Sequence, residues 1–202
     1  MITLYGGAQG RASRSLLALE ELGLAYQHVP LKPWDEPSDK ARLAALNPNA
    51  RVPVLDDDGL VVWESMAINL YLGDRYGGPL WPAEPAQRAL LYQWSLWAQT
   101  SLDVMARHRA RFGDDPKAKA AAEAERLVAL VILDRALANR PYLLGAAFSL
   151  ADLNVAATLS EPWEQGRVDG DLDPAAAGLA ALDDWLARCT GRASYARVRA
   201  LP

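Results

Sequence analysis

Cysteine occurs once in this chain, at Cys189, which rules out an intrachain disulfide. Met1-Ile2-Thr3-Leu4-Tyr5 enters a strand pattern directly, with no basic-then-apolar leader, so a reducing cytoplasm is the expected compartment. No apolar run is long enough to span a bilayer, and no membrane partner is expected. Histidine is nearly as scarce. His28 and His108 lie far apart in sequence and neither adjoins Cys189, so neither a zinc site nor a Cys–His nucleophile is expected, and no metal is assigned. Cys189, late in the chain, reads as a small buried residue. Positive charge is not in excess: 21 Lys and Arg face 25 Asp and Glu, a net charge of −4 that gives no reason to expect nucleic acid. The cluster Arg107-His108-Arg109-Ala110-Arg111 reads as the solvated end of a helix. Gly6-Gly7-Ala8-Gln9-Gly10 lacks the Gly-Lys-Ser/Thr of a phosphate loop. Asp56-Asp57-Asp58-Gly59 lacks the spaced ligands of a calcium loop and reads as a turn.

What remains is a chain of 202 residues, 51% hydrophobic and 23% charged, enough for one or two packed domains. Ile2 to Tyr5 reads as a strand, Arg11 to Leu22 as a helix stopped by Gly23, and Ala25 to Leu31 as a second, parallel strand. A short helix from Asp39 to Leu46 ends at Asn47-Pro48. Val52 to Leu55 and Leu60 to Trp63 form a hairpin around Asp57-Asp58-Gly59, and a helix runs from Ser65 to Tyr76. Gly77 to Pro85, with two glycines and three prolines, marks a boundary. Beyond it strand signals cease, and helices are expected over Gln87 to about Arg111, Lys117 to Asn139, Ser149 to Leu159 and Ala175 to Cys189. The expected division is 1–77, a linker at 78–85, and an all-α region at 86–202.

The stretch from Arg51 to Asn69 combines a strand end carrying Pro53 with a helix start at Glu64-Ser65. A proline is tolerated in a sheet only at an edge, a first residue or a bulge, so Val52 can offer free backbone groups to a peptide-like ligand. Ser65 is a good helix cap, and helix N-termini hold carboxylates. Ser149-Leu150-Ala151-Asp152 is a capping box, with Phe148 and Leu153 as its staple, and its expected role is folding rather than chemistry.

Taken together these segments resemble the cytosolic glutathione transferase family, bacterial members included. Asn47-Pro48-Asn49-Ala50-Arg51-Val52-Pro53-Val54-Leu55 is similar to the family's NPxGKVPVL segment, and Glu64-Ser65-Met66-Ala67-Ile68 to its ESxAI segment. Ala18 to Tyr26 is similar to the end of its first helix, and Phe148 to Asp152 to its (F/Y)SxAD motif. The resemblance spans nearly the whole chain. It implies an N-terminal thioredoxin-like β-α-β-α-β-β-α domain, a C-terminal helical bundle, glutathione as cosubstrate, a homodimer and a role in detoxification. It also implies a cis bond before Pro53, with Val52 pairing to the cysteinyl backbone of glutathione. Glu64 and Ser65 would take the ammonium and carboxylate of the γ-glutamyl group, and Arg51 the glycyl carboxylate.

Such an enzyme must turn a thiol that titrates near 8.5 into a thiolate near pH 7, which needs roughly 1.4–2.7 kcal/mol in favour of the anion. The family places tyrosine, serine or cysteine at or just after the first strand. Here the position where similar bacterial SRASR segments carry serine is Gly10, and Tyr5 sits on the strand as a core or interface residue. Ser13 and Arg11 are the candidates for the catalytic role, with Gln9 third. Trp34, Met105, His108, Phe112 and Trp163 are candidates to line the electrophile pocket. Trp94 and Trp97 lie on the helix that in the family helps form the two-fold interface. The rival expectation is a glutathione-binding or protein-interaction module of the same fold without catalysis.

Overall fold

The computed structural model describes residues 1–33, 36–103, 115–160, 174–175 and 177–202, with only the backbone at Lys119. The chain begins β1 (Ile2–Tyr5), α1 (Ala12–Glu21), β2 (Tyr26–Val29), α2 (Pro37–Leu46), β3 (Val54–Asp57), β4 (Leu60–Trp63) and α3 (Ser65–Tyr76). The sheet order is β2-β1-β3-β4. β1 pairs parallel to β2 across the α1 crossover, and antiparallel to β3 with Leu4 opposite Leu55. This is the expected thioredoxin-like order. Gly23 ends α1 at φ +65, with its N–H on Glu20 and that of Leu24 on Leu19, a Schellman closure that glycine adopts without strain.

Two boundaries differ from expectation for physical reasons. β3 starts at Val54 rather than Val52, because Val52 and Pro53 are joined by a cis bond and take no part in the ladder. Ser65 is the first helical residue of α3 rather than its cap. The cap position belongs to Glu64, held at φ +74.

After a 3₁₀ turn at Gly78–Leu80, the described residues hold only helices and one isolated bridge between Tyr142 and Gly145. These are α4 (Pro85–Trp97), extended by a π turn at Ala98–Leu102, then α5 (Pro116–Leu137), α6 (Leu150–Leu159), α7 (Ala180–Thr190) and α8 (Ala193–Arg199). Helix α8 was not anticipated, and α7 begins five residues later than expected. Asp115 caps α5 by accepting from the backbone of Lys117 and Ala118.

One apolar core runs through both halves. Leu4, Leu16, Leu17 and Ile68 join Leu91, Leu130, Leu153 and Trp185, all buried. Gly73 on α3 lets this seam close, since a Cβ there would lie 2.4 Å from the Trp81 ring and 2.8 Å from Leu150 Cδ2. Helix α6 is anchored by its capping box. Buried Asp152 also accepts from Leu143 N at 2.7 Å and Trp185 Nε1 at 2.9 Å, so it ties a loop and α7 to the start of α6. Cys189 is fully buried, as expected, and burial pushes its thiol far above the ordinary range.

At the seam, α1 meets α8 through Glu21, which accepts from Arg192 Nη2 at 2.6 Å and Ser194 Oγ at 2.5 Å. Burial opposes the Glu21 charge, but these two hydrogen bonds and the guanidinium outweigh it and hold the carboxyl below its usual range.

Candidate functional site

Three pieces of chain converge at one end of the sheet: the end of β1 with the start of α1, the cis Val52–Pro53 turn, and the start of α3. Gly6 marks the crossing. Its φ is +134, and a Cβ there would sit 2.8 Å from Ala12 Cβ and 2.9 Å from Val52 Cβ. Gly6 is fixed by a bond from its N–H to Val29 O at 2.9 Å, and its carbonyl lies 2.7 Å from His28 Nε2. The third piece is tied in by Ser15, whose hydroxyl lies 3.5 Å from the Ser65 carbonyl.

Val52 is half-buried, and its backbone N–H and C=O make no hydrogen bond to the described residues. A strand end left open in this way can accept an extended backbone. The turn leading to it is held by Asn47, a buried residue that the sequence marked as a helix stop and as the first residue of the segment similar to NPxGKVPVL. Its Nδ2 donates to Arg51 O at 2.8 Å, its Oδ1 accepts from Asn49 N at 2.9 Å, and its carbonyl accepts from Ala50 N at 2.8 Å. Arg51 itself is exposed, with no ion pair among the described residues.

Beside Val52, α3 presents its N-terminus. The first N–H groups of a helix have no intrahelical acceptor, and the positive end of the dipole favours an anion there. Ser65 is buried, yet its hydroxyl has no partner among the described residues, while Glu64 stays exposed at the same end. A left-handed backbone at a non-glycine residue costs about 1–3 kcal/mol and persists where the surroundings impose it, commonly at ligand sites.

The start of α1 carries the activation candidates. Ser13 is fully buried, and its hydroxyl donates to Gly10 O at 2.7 Å. A hydroxyl has one proton to give, so in this arrangement Ser13 does not also donate to a ligand. Gly10 has φ +93, a conformation that disfavours any side chain in its place. Gln9 is exposed on the loop, and Tyr5 faces away, under the Arg42 guanidinium at 5.4 Å. Arg11 occupies the cap position of α1. Its Nη2 donates to both Asp103 oxygens, at 3.1 and 3.0 Å, and Nε adds a contact at 3.3 Å. Nη1 of Arg11 has no hydrogen bond among the described residues. Arg14 Nη1 reaches the same carboxylate at 3.0 Å. Asp103 was missed by sequence reasoning, since nothing in its local pattern signals a partner some ninety positions away.

Trp34, Met105, His108, Phe112 and Trp163, named for an electrophile pocket, lie outside the described residues. Trp94 turns into the core and meets Trp97 edge-on at 5.4 Å, whereas Tyr92 and Leu96 on the same helix stay exposed.

Residues 1–74 match the family model described as glutathione S-transferase, N-terminal domain, and residues 96–193 match its C-terminal counterpart. Glutathione S-transferase GstB of Escherichia coli K12 is 34% identical over 169 residues, covering 77% of this chain and 80% of GstB. Among solved structures, a theta class glutathione S-transferase from Xanthomonas axonopodis pv. citri, with glutathione bound, superposes with a TM-score of 0.83. It is 31% identical, over 97% of this chain and 95% of that one. A delta-class glutathione transferase from Nilaparvata lugens gives 0.82 at 28% identity, over 98% and 92%.

Proposed function

This chain belongs to the glutathione S-transferase family, and from that premise we propose that it holds glutathione as a thiolate and transfers it to a small hydrophobic electrophile. The reading rests on one juxtaposition: the open backbone of Val52 lies beside a helix N-terminus whose Ser65 hydroxyl has no partner among the described residues. Val52, before cis-Pro53, pairs with the cysteinyl unit. Ser65 and the first α3 N–H groups take the γ-glutamyl carboxylate. Glu64 faces the ammonium, and Arg51 meets the glycyl carboxylate.

Activation falls to the start of α1, where Arg11 supplies positive charge and a hydrogen-bond donor to the sulfur. Ser13 ranks second, because donating to a sulfur requires releasing Gly10. No cofactor beyond glutathione and no metal is invoked. The division into 1–77, a linker at 78–85 and 86–202 follows the break in strand content, and the cytoplasm is the compartment proposed.

Assembly as a homodimer has support from the surface. Tyr92 and Leu96 lie one turn apart on α4, Val128 and Ile132 one turn apart on α5, and all four are 39–60% exposed. Sedimentation equilibrium tests this, and a monomer at micromolar concentration would remove it.

A second reading, a glutathione-binding or protein-interaction module without catalysis, draws on Gly10, which offers no side chain at the activating position. Steady-state turnover with a chloronitrobenzene, an epoxide and an organic hydroperoxide, measured beside glutathione affinity, separates the two. Turnover above the solution rate supports the enzyme. Binding with no acceleration for any of the three selects the module.

A further inference from the structure

We propose that Asp103 is a positioning residue for thiol activation, aiming the Arg11 guanidinium from the helical half of the molecule; this rests on the reading of Arg11 given above. Two observations separate Asp103 from an ordinary interdomain tie. Its side chain is 2% exposed and meets Arg14, itself 6% exposed, at 3.0 Å, so a buried pair already joins α1 to the end of the π turn. Arg11 then adds a second guanidinium, 35% exposed, in a two-pronged grip on the same carboxylate. What the grip fixes is geometry: with Nε and Nη2 turned to Asp103, Nη1 is left without a partner among the described residues, at the α1 N-terminus.

Charge follows the same logic. The Arg11 guanidinium lies at the N-terminal, positive end of the α1 dipole, and a thiolate formed beside it, its proton passing to solvent, is favoured. Removing the carboxylate while keeping Arg11 in place would favour the anion further. Releasing Arg11 would do the reverse. The direction of the change therefore distinguishes aiming from simple field effects.

The experiment is the titration of the thiolate absorbance of bound glutathione in the full-length protein, for wild type, Arg11→Gln, Asp103→Asn and the double variant. Arg11→Gln is expected to raise the thiol pKa by about one pH unit. Asp103→Asn should raise it in the same direction, lower kcat about tenfold and leave KM for glutathione within about twofold. The double variant should match Arg11→Gln alone. An unchanged or lowered pKa in Asp103→Asn, or additive effects in the double variant, overturns the proposal. No change in Arg11→Gln instead removes the reading of Arg11 beneath it. Should Asp103→Asn not fold, Arg11→Lys serves, since it keeps the charge and loses the two-pronged grip. A raised thiol pKa supports aiming, and a wild-type value overturns it.

Discussion

Gly6 and Val52 approach so closely that a methyl group on the former would stand 2.9 Å from the Cβ of the latter. The strand end that carries the open backbone groups is thus seated directly against β1. Gly6→Ala should push Val52 outward and impose a side chain at φ +134, at a cost of about 1–3 kcal/mol in stability. Glutathione affinity is expected to fall at least about tenfold, since backbone pairing at Val52 depends on position. Calorimetric binding to the folded variant checks this; an unchanged Kd would mean that Val52 is not a contact.

Ser65→Ala removes a hydroxyl that makes no bond to the described residues, so the unliganded protein should keep its Tm. A hydrogen bond to a carboxylate contributes about 1.5–3 kcal/mol, so affinity should drop roughly 10- to 100-fold. Equal affinities for wild type and variant would count against both the socket and glutathione as its occupant.

Glu21 gives a pH-dependent outcome. Its folded-state pKa is lowered, so its contribution is fully present above the ordinary carboxylate value and is lost as pH falls through the lower, folded one. Arg192, its partner, also stacks on the Phe148 ring at 3.9 Å. Glu21→Gln should cost about 1.5–3 kcal/mol at pH 7, a gap that narrows once the carboxyl is protonated. Denaturant melts of both proteins at pH 7 and at pH 4 or below test the trend, and a gap independent of pH contradicts it.

Asp152 behaves oppositely. Burial raises its pKa despite bonds from Leu143, Trp185 and Ser149. Asp152→Ala strands those donors and should cost about 3–5 kcal/mol. Asp152→Asn keeps one acceptor oxygen and has no charge to desolvate, so its loss should be smaller. Equal Tm values for the two variants would mean that the hydrogen bonds contribute nothing.

Why part of this was legible in the sequence is a matter of range. The hairpin, Gly23, the α3 start and the capping box are written in neighbouring residues, because turn and cap chemistry acts over three or four positions. The family motifs added the cis bond before Pro53, and pointed to Val52, Glu64 and Ser65 as the contacts proposed above. Asp103, Asn47 and Gly6 could not be read in the same way. Asp103 matters only because folding brings it to Arg11. Asn47 looked like a helix stop and proved to organise a turn. Gly6 looked like a strand breaker, and its neighbour across the crossing is 46 positions away. Ser13 shows the converse: its type and position suited catalysis, yet a local bond to Gly10 takes its proton.

The burial of Cys189 has a practical consequence. The chain keeps its only sulfhydryl inside the core. Thiol-directed labelling reagents should therefore leave the native protein unmarked. Thiolate absorbance that appears near neutral pH when glutathione is added then does not come from Cys189, so the folded protein adds no sulfhydryl background to such a titration.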